Sequence, residues 1–338
     1  MNDYLTQRGL QQQQWALEGA PAELEIVMRR EPSKAEVLEL LPEMDFLITE
    51  RSGTIDADMV AAGKKLRLIQ RLGIQTWDLD VDAARKANIP VCYKPVPGCV
   101  MVAEHIVMQI LGMFKKTREM MQVVADAKDW GRPPRKGDED TFDYNWAGRG
   151  GIAGMQGKTI GILGMGEIGL ELAWRVMPFG TRVLYNKRRR FPAEAEEKFR
   201  VQYATQAEIE AQSDVIVSLL PYLGPVYPLD AAFFGRMKTG AYFSHCGSGG
   251  VVDEDALIAA YKSGHLAGFA IDGFNWEPFR ADDPLLELAR DPWANVILSP
   301  HMAAGGVVPE SASRAARAAD YDNLMTLLSG GELMYRLV

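Results

Sequence analysis

Three glycines, Gly164, Gly166 and Gly169, stand at GxGxxG spacing directly after the apolar run Ile160-Gly161-Ile162-Leu163, an arrangement suited to holding a pyrophosphate. A strand that turns at once into a helix needs Gly164 for the tight turn. Gly166 lets bare backbone meet the phosphates, and Gly169 lets the helix lie close to the sheet. The anion then sits on the helix's unpaired amides, at the positive end of its dipole. Met165, Glu167 and Ile168 belong to the same turn and helix start. About 20 residues on, where a dinucleotide's ribose is read, the chain has Asn186-Lys187-Arg188-Arg189 in place of an acid. An acid there repels a 2′-phosphate, whereas Asn186 can hydrogen-bond one and Arg188 or Arg189 can grip it with two donors. The expected cofactor is NADP(H), with NAD(H) as the second option. A glycine turn without a ligand and a solvated basic helix start are the competing readings.

The elements around this turn set the fold class. Ile168, Leu172 and Val176 form the apolar stripe of the helix after the glycines, and Arg182 to Tyr185 reads as the next strand. Upstream, Leu24 to Met28, Asp45 to Thr49, Leu66 to Leu72 and Pro90 to Tyr93 read as strands separated by helices. One of those helices starts at Ser33 with Glu36 three positions on, and another at Asp80. Downstream, Val215 to Leu220, Ala241 to Ser244, Gly268 to Asp272 and Asn295 to Ser299 continue the alternation. Such alternation means parallel sheets, so the expected fold is α/β, two Rossmann-like domains with doubly wound parallel sheets and a cleft between them. The expected dinucleotide-binding domain is 101–301. Residues 1–100 and 302–338 form a discontinuous substrate-side domain, reached by a last helix from Pro309 to Leu328. Met101 to Ala125 reads as one long helix. Residues 126–157 lose all periodicity but carry Phe142, Tyr144 and Trp146, which suits a functional loop or an assembly arm, and a homodimer is the expected assembly.

The chain has 338 residues, 47% hydrophobic and 24% charged, enough for about two domains with sizeable cores. A formal net charge of -8 speaks against nucleic acid or an anionic membrane as partner. Three cysteines without metal-ligand spacing suggest a reducing compartment, no disulfide framework and no metal, hence a cytoplasmic protein. The front of the chain reads as a polar helix rather than a leader, and the uncharged stretch His105 to Phe114 is short of the ~20 residues a membrane span needs.

Over nearly its whole length the chain resembles the D-isomer-specific 2-hydroxyacid dehydrogenases, most closely their glyoxylate/hydroxypyruvate reductase branch. The resemblance is carried by Gly157 to Gly169, Leu184 to Arg189, Val251-Val252-Asp253-Glu254, Ala267 to Asp272, Glu277-Pro278 and Ser299-Pro300-His301. It implies an oxidoreductase moving a hydride between nicotinamide and a carbonyl or alcohol, with His301 as the acid/base residue and Glu277 as its partner. Those roles suit the residues: histidine trades a proton near neutral pH, and a carboxylate on its other nitrogen fixes the tautomer and steadies the imidazolium. For Glu277 a helix-start acid is the alternative. The resemblance also implies that Asp272 holds the nicotinamide amide and that Leu220, Pro221 and Cys246 border the cofactor. A substrate carboxylate would meet the backbone around Leu72, Gly73 and Ile74, near Trp77. His105 and His265 are expected to be structural.

One departure bears on the chemistry. Where the family has Arg-Gly-x-Val-Val-Asp, this chain has Ser248-Gly249-Gly250-Val251-Val252-Asp253, and the family's nearby asparagine is His245. The arginine that would clamp a substrate carboxylate is absent. The first expectation is therefore an NADP(H)-dependent oxidoreductase with an atypical small-molecule substrate. A catalytically retired dinucleotide-binding sensor is the second. An ordinary glyoxylate/hydroxypyruvate reductase that borrows another cation, Arg71 or Arg149, is the third.

Overall fold

The computed structural model describes residues 2–6, 10–50, 53–126, 130–131, 133–222, 224, 228–305 and 310–338, with side chains from residue 10 onward. The chain divides into two compact units, Met1–Cys99 with Gly305–Val338, and Val100–Ala304. Each is built on a parallel sheet, as alternating strands and helices require.

The first unit runs β1 (Asn2–Thr6), α1 (Leu10–Glu18), β2 (Ile26–Arg30), α2 (Lys34–Leu40), β3 (Phe46–Glu50), α3 (Ala57–Ala62), β4 (Leu68–Leu72), α4 (Val81–Lys86) and β5 (Val91–Lys94). The strands lie in the order β2-β1-β3-β4-β5. Ser33 and Glu36 form a reciprocal capping box on α2, and Asp80 caps α4. The expectation of a helix at the front is corrected: Asn2–Thr6 is a strand, paired with β2 on one side and β3 on the other. Five residues carry too little periodicity to declare themselves, and pairing on both edges decides their conformation.

The chain passes into the second unit through α5 (Pro97–Phe114), followed by α6 (Thr117–Ala125). One helix was expected here, and two are found. The carbonyls of Met113 and Phe114 are captured by the Asn295 side chain at 3.1 Å and by the Ala153 amide at 2.8 Å, and Lys116 turns left-handed at φ 49°. Among the described residues α5 alone is long and apolar enough by composition to cross a membrane, with a mean hydropathy of 1.4, so the apolar helix exceeds the stretch legible in the sequence. It carries Glu104 and His105, and its buried Gln109 accepts a hydrogen bond from Ser244 at 2.8 Å, as befits a core helix.

From there the chain forms β6 (Thr159–Leu163), α7 (Glu167–Val176), β7 (Arg182–Asn186), α8 (Ala193–Phe199), β8 (Val201–Tyr203), α9 (Gln206–Gln212), β9 (Val215–Ser218), α10 (Ala231–Arg236), β10 (Ala241–His245), α11 (Glu254–Lys262), β11 (Leu266–Ile271), α12 (Leu285–Arg290) and β12 (Val296–Leu298). The sheet order is β12-β11-β10-β9-β6-β7-β8. Ile216, Phe233, Phe234, Phe243, Leu257 and Phe269 form much of the core on one face. Strands covered on both faces read as unbroken apolar runs, as Val215 to Val217 does. Because β6 has β7 on one side and β9 on the other, successive connections leave in opposite directions. The crevice beyond the strand ends at such a switch point is where open α/β sheets bind ligands.

The chain ends in the first unit with α13 (Glu310–Ala318) and α14 (Asp322–Leu328). The expected helix start, Pro309, lies outside the described residues. A 3-10 turn at Ala319–Tyr321 interrupts what was expected as one helix, and the buried Tyr321 there donates its hydroxyl to Ala16 O at 2.7 Å.

Candidate active site

At the end of β6, Gly164 has φ 90°, and a Cβ on it would lie 2.7 Å from Leu219 O. Only glycine fits such a turn. Gly166 is the N-cap of α7, offers no side chain to the first-turn amides, and has open space where a Cβ would be. That space and those amides fit a bound pyrophosphate. At Gly169 a Cβ would press on Met165 Sδ at 2.7 Å and Ile162 Cγ2 at 3.4 Å, so helix and strand pack closely. Met165 and Glu167 are buried, and Ile168 is partly exposed.

The amide of Gly164 donates to Asn186 O at 3.1 Å, which sets the end of β7 beside the turn. Asn186 Nδ2 donates to Ala204 O at 2.9 Å. The basic run that follows divides its tasks. Lys187 Nζ lies 3.8 Å from the centre of the Phe191 ring, and Arg190 grips Glu196. Arg188 and Arg189 are exposed and, among the described residues, form no ion pair.

His301 Nδ1 lies 2.7 Å from Glu277 Oε2, and Glu277 Oε1 accepts the Phe274 amide at 2.9 Å. The carboxylate is thus oriented by the main chain and orients the ring. The hydrogen bond to Glu277 raises the imidazole pKa above its ordinary 6.5, against a smaller opposing effect of burial. Nε2 has no partner among the described residues, so a protonated ring can present a proton from that atom.

His301 itself has φ 51°, and the residues around it are held from below. Asp272, buried at the end of β11, accepts Ser299 Oγ at 2.6 Å and Met302 N at 3.0 Å on Oδ1, and Ala303 N at 2.8 Å on Oδ2. His105 Nε2 lies 2.9 Å from Ser299 Oγ. Since the serine proton goes to Asp272, the histidine is the donor. Most of the Asp272 lone-pair capacity serves the 299–303 turn, which leaves a nicotinamide amide one direction on Oδ2. The sequence named Asp272 for the cofactor alone; its service to the His301 turn is the part that sequence reasoning missed.

Ser248 is partly exposed, with its amide donated to Leu220 O at 3.0 Å. Pro221 and Tyr222 are exposed, and the Tyr222 ring lies over Gly250, 2.9 Å from where a Cβ would be. Cys246 is no activated thiol: burial pushes its pKa far above the ordinary thiol range. Among the described residues no cluster of three or more His, Cys, Asp or Glu could hold a metal.

In the first unit Gly73 has φ 136° and donates its amide to Lys94 O at 2.7 Å, an isolated antiparallel bridge just past the end of β4. That amide is therefore not available to a substrate carboxylate, and this part of the expectation is corrected. Leu72 is buried within β4, Ile74 is buried, and Trp77 is partly exposed. The two substitute cations are also corrected. Arg71 is fully buried and donates to Gln75 O at 2.7 Å, Asp78 Oδ1 at 2.9 Å and Gly53 O at 2.8 Å. Arg149 pairs with Glu119 and lies 5.5 Å from the Trp293 ring centre. A guanidinium so committed has to abandon those partners to clamp a substrate.

A doubly wound sheet with a dinucleotide turn and a carboxylate–imidazole pair defines an NAD(P)-dependent dehydrogenase or reductase acting on CH–OH groups. Residues 107–303 match the family description "D-isomer specific 2-hydroxyacid dehydrogenase, NAD binding domain". A glyoxylate/hydroxypyruvate reductase B of Escherichia coli is 33% identical over 278 residues, 82% of this chain and 79% of that protein. The chain belongs to the D-isomer-specific 2-hydroxyacid dehydrogenases. Two solved structures share the fold. One, from Pyrococcus horikoshii, is 24% identical, covers 99% of this chain and 94% of its own, and has a TM-score of 0.57. The other, a glyoxylate reductase from Paecilomyes thermophila, is 23% identical, covers 100% and 98%, and has a TM-score of 0.54.

Proposed function

We propose that the chain is an NADP(H)-dependent reductase whose substrate carbonyl is held without an arginine at position 248. The Glu277–His301 pair carries this reading, because a module that only binds dinucleotide has no use for an oriented, partner-free Nε2. The dinucleotide would lie on Gly164 to Gly169, with Leu220, Pro221, Cys246 and Asp272 bordering it. Bound nicotinamide supplies or accepts the hydride. His301 gives or takes the hydroxyl proton through Nε2, Glu277 holds the ring, and Ser248 faces the substrate oxygen. A panel of carbonyls that includes glyoxylate and hydroxypyruvate, followed by NADPH absorbance on protein stripped of cofactor, tests the reading. Absence of turnover on every carbonyl would favour a retired, dinucleotide-binding protein, the alternative to which the missing arginine lends support.

The unpaired Arg188 and Arg189 support a preference for NADP(H). Each charge-assisted hydrogen bond to a 2′-phosphate is worth about 1.5–3 kcal/mol, or roughly tenfold to a hundredfold in kcat/KM. Wild type is expected to favour NADPH over NADH, and Arg188→Glu with Arg189→Glu to lower that ratio at least about tenfold. Steady-state kinetics with both cofactors decides it, and equal or better efficiency of wild type with NADH would defeat the claim.

A homodimer is supported by the second unit's exposed apolar side chains. Met108, Met120, Met121 and Val124 are exposed on α5 and α6, Met108 at a hollow of about 820 Å³ lined by Val107, Leu111, Phe179 and Ile297 among charged side chains, and the exposed Phe142 and Tyr144 rings meet edge to face at 4.7 Å. Contiguous exposed apolar surface marks protein interfaces more often than bare solvent. Sedimentation should give twice the chain mass, and Met121→Glu with Val124→Glu should shift it toward one chain; a wild-type monomer at micromolar concentration sinks the proposal.

A further inference from the structure

At the upper ends of four neighbouring strands stands one row of residues in register: Leu163 on β6, Ser218 on β9, His245 on β10 and Ile271 on β11. Residues paired in register point to the same face of a sheet, and all four are buried. Two polar side chains thus stand side by side in an otherwise apolar row. A Cβ on Gly247 would come within 3.0 Å of His245 Cε1, so the ring lies against the turn that carries Ser248. His245 Nε2 is 3.2 Å from the Ser248 carbonyl oxygen. Two groups in the row are unused: His245 Nδ1 and Ser218 Oγ are buried without a partner among the described residues.

These groups are complementary. A neutral imidazole has one donor and one acceptor, and the Ser248 carbonyl can only accept, so the ring proton belongs on Nε2. Nδ1 is then an acceptor, and the hydroxyl in register with it is a donor. Burial brings the His245 pKa down to about 4, which keeps the ring neutral. The Ser218 carbonyl also faces the ring but already receives the Cys246 amide at 3.2 Å, and a ring protonated on Nε2 has nothing to donate to it.

We propose that Ser218, His245 and Ser248 form a hydrogen-bonded column, from the Ser218 hydroxyl through one buried water to Nδ1, and from Nε2–H to the Ser248 carbonyl, which fixes the turn that presents Ser248 to substrate. Its other anchors are the Ser248 amide on Leu220 O and the Gly250 amide on Asn275 Oδ1 at 2.7 Å. His245 and Ser218 are then positioning residues for Ser248, and only that last step rests on the proposed function.

With four histidines in the chain, nitrogen-15 histidine spectra of the full-length protein resolve each ring, and His245 is assigned by its disappearance in His245→Gln. The wild-type ring is expected as the neutral Nε2–H tautomer from about pH 6 to about pH 8, without titrating, and Ser218→Ala is expected to mix the tautomers. Amide exchange over residues 246–250 should rise about tenfold in His245→Ala and stay within about threefold in His245→Gln, whose amide nitrogen takes the place of Nε2. On the carbonyl turned over fastest in the panel, His245→Ala should raise KM about tenfold more than it changes NADPH affinity, and His245→Gln should restore it. An Nδ1–H tautomer, titration near the ordinary histidine value, or unchanged exchange in folded His245→Ala overturns the column. If His245→Ala does not fold, the wild-type tautomer and the His245→Gln exchange decide. If no carbonyl is reduced, the proposed function fails while the spectra and exchange still decide the column.

Discussion

His301→Ala is expected to lose roughly 10²- to 10⁴-fold in turnover while its affinity for NADPH stays almost unchanged, since that is the usual worth of a placed general acid or base. In the proposed role the imidazole would touch the oxygen of the reacting carbon and not the adenosine end of the cofactor, so the loss should belong to kcat. The pH dependence follows from the pair. Glu277 raises the His301 pKa above 6.5, and reduction needs the protonated ring. Reductive turnover should therefore be flat at low pH and fall as pH rises through the raised value, and oxidation should show the opposite limb. Glu277→Gln removes the charge that holds the proton, so the reductive limb should move to lower pH with a smaller loss of maximal rate. The same shift acts on folding: a raised folded-state pKa contributes stability that is complete below the unfolded value and lost as pH rises through the folded one. A His301→Ala enzyme within threefold of wild type on its best substrate would remove the residue from the mechanism.

The parts of this molecule that are legible in its sequence are those encoded locally. Gly164, Gly166 and Gly169 declare a strand–turn–helix because each solves a steric problem within a few residues of itself. The parallel sheets declare themselves through unbroken apolar runs such as Val215 to Val217. Strand β1 does not, because its conformation depends on Ile26–Arg30 and Phe46–Thr49 lying along its two edges. Asp272 could be singled out as a strand-end acid, but its grip on Ser299, Met302 and Ala303 spans 27 to 31 positions and has no periodic signature. Arg71 and Arg149 were plausible cations by type, and only their partners, Asp78 and Glu119, reveal that both are engaged.

The second large effect is expected at Ser248. A hydroxyl supplies neither the charge nor the paired donors of a guanidinium, so a 2-keto acid should be bound and polarised poorly. If one directed donor to a developing oxyanion is worth about 3 kcal/mol, its loss costs on the order of a hundredfold in rate before carboxylate binding is counted. Weak reduction of glyoxylate, hydroxypyruvate and pyruvate is therefore expected of wild type. Ser248→Arg should raise it by about a hundredfold, provided that the cofactor and the Glu277–His301 pair are already in place. His245 reaches the carbonyl of residue 248 and not its side chain, so the substitution leaves that contact standing. The control is Arg280, an exposed cation three positions after Glu277, which lies 5.1 Å from the Trp276 ring centre and only loosely, at 3.8 Å, beside Asp282. Wild-type efficiency on glyoxylate equal to that of an ordinary reductase would refute the altered-substrate reading. A collapse of that efficiency in Arg280→Ala would then identify the cation that had taken over, whereas a response confined to Ser248→Arg, with Arg280→Ala silent, is the outcome expected of a site whose substrate is not a 2-keto acid.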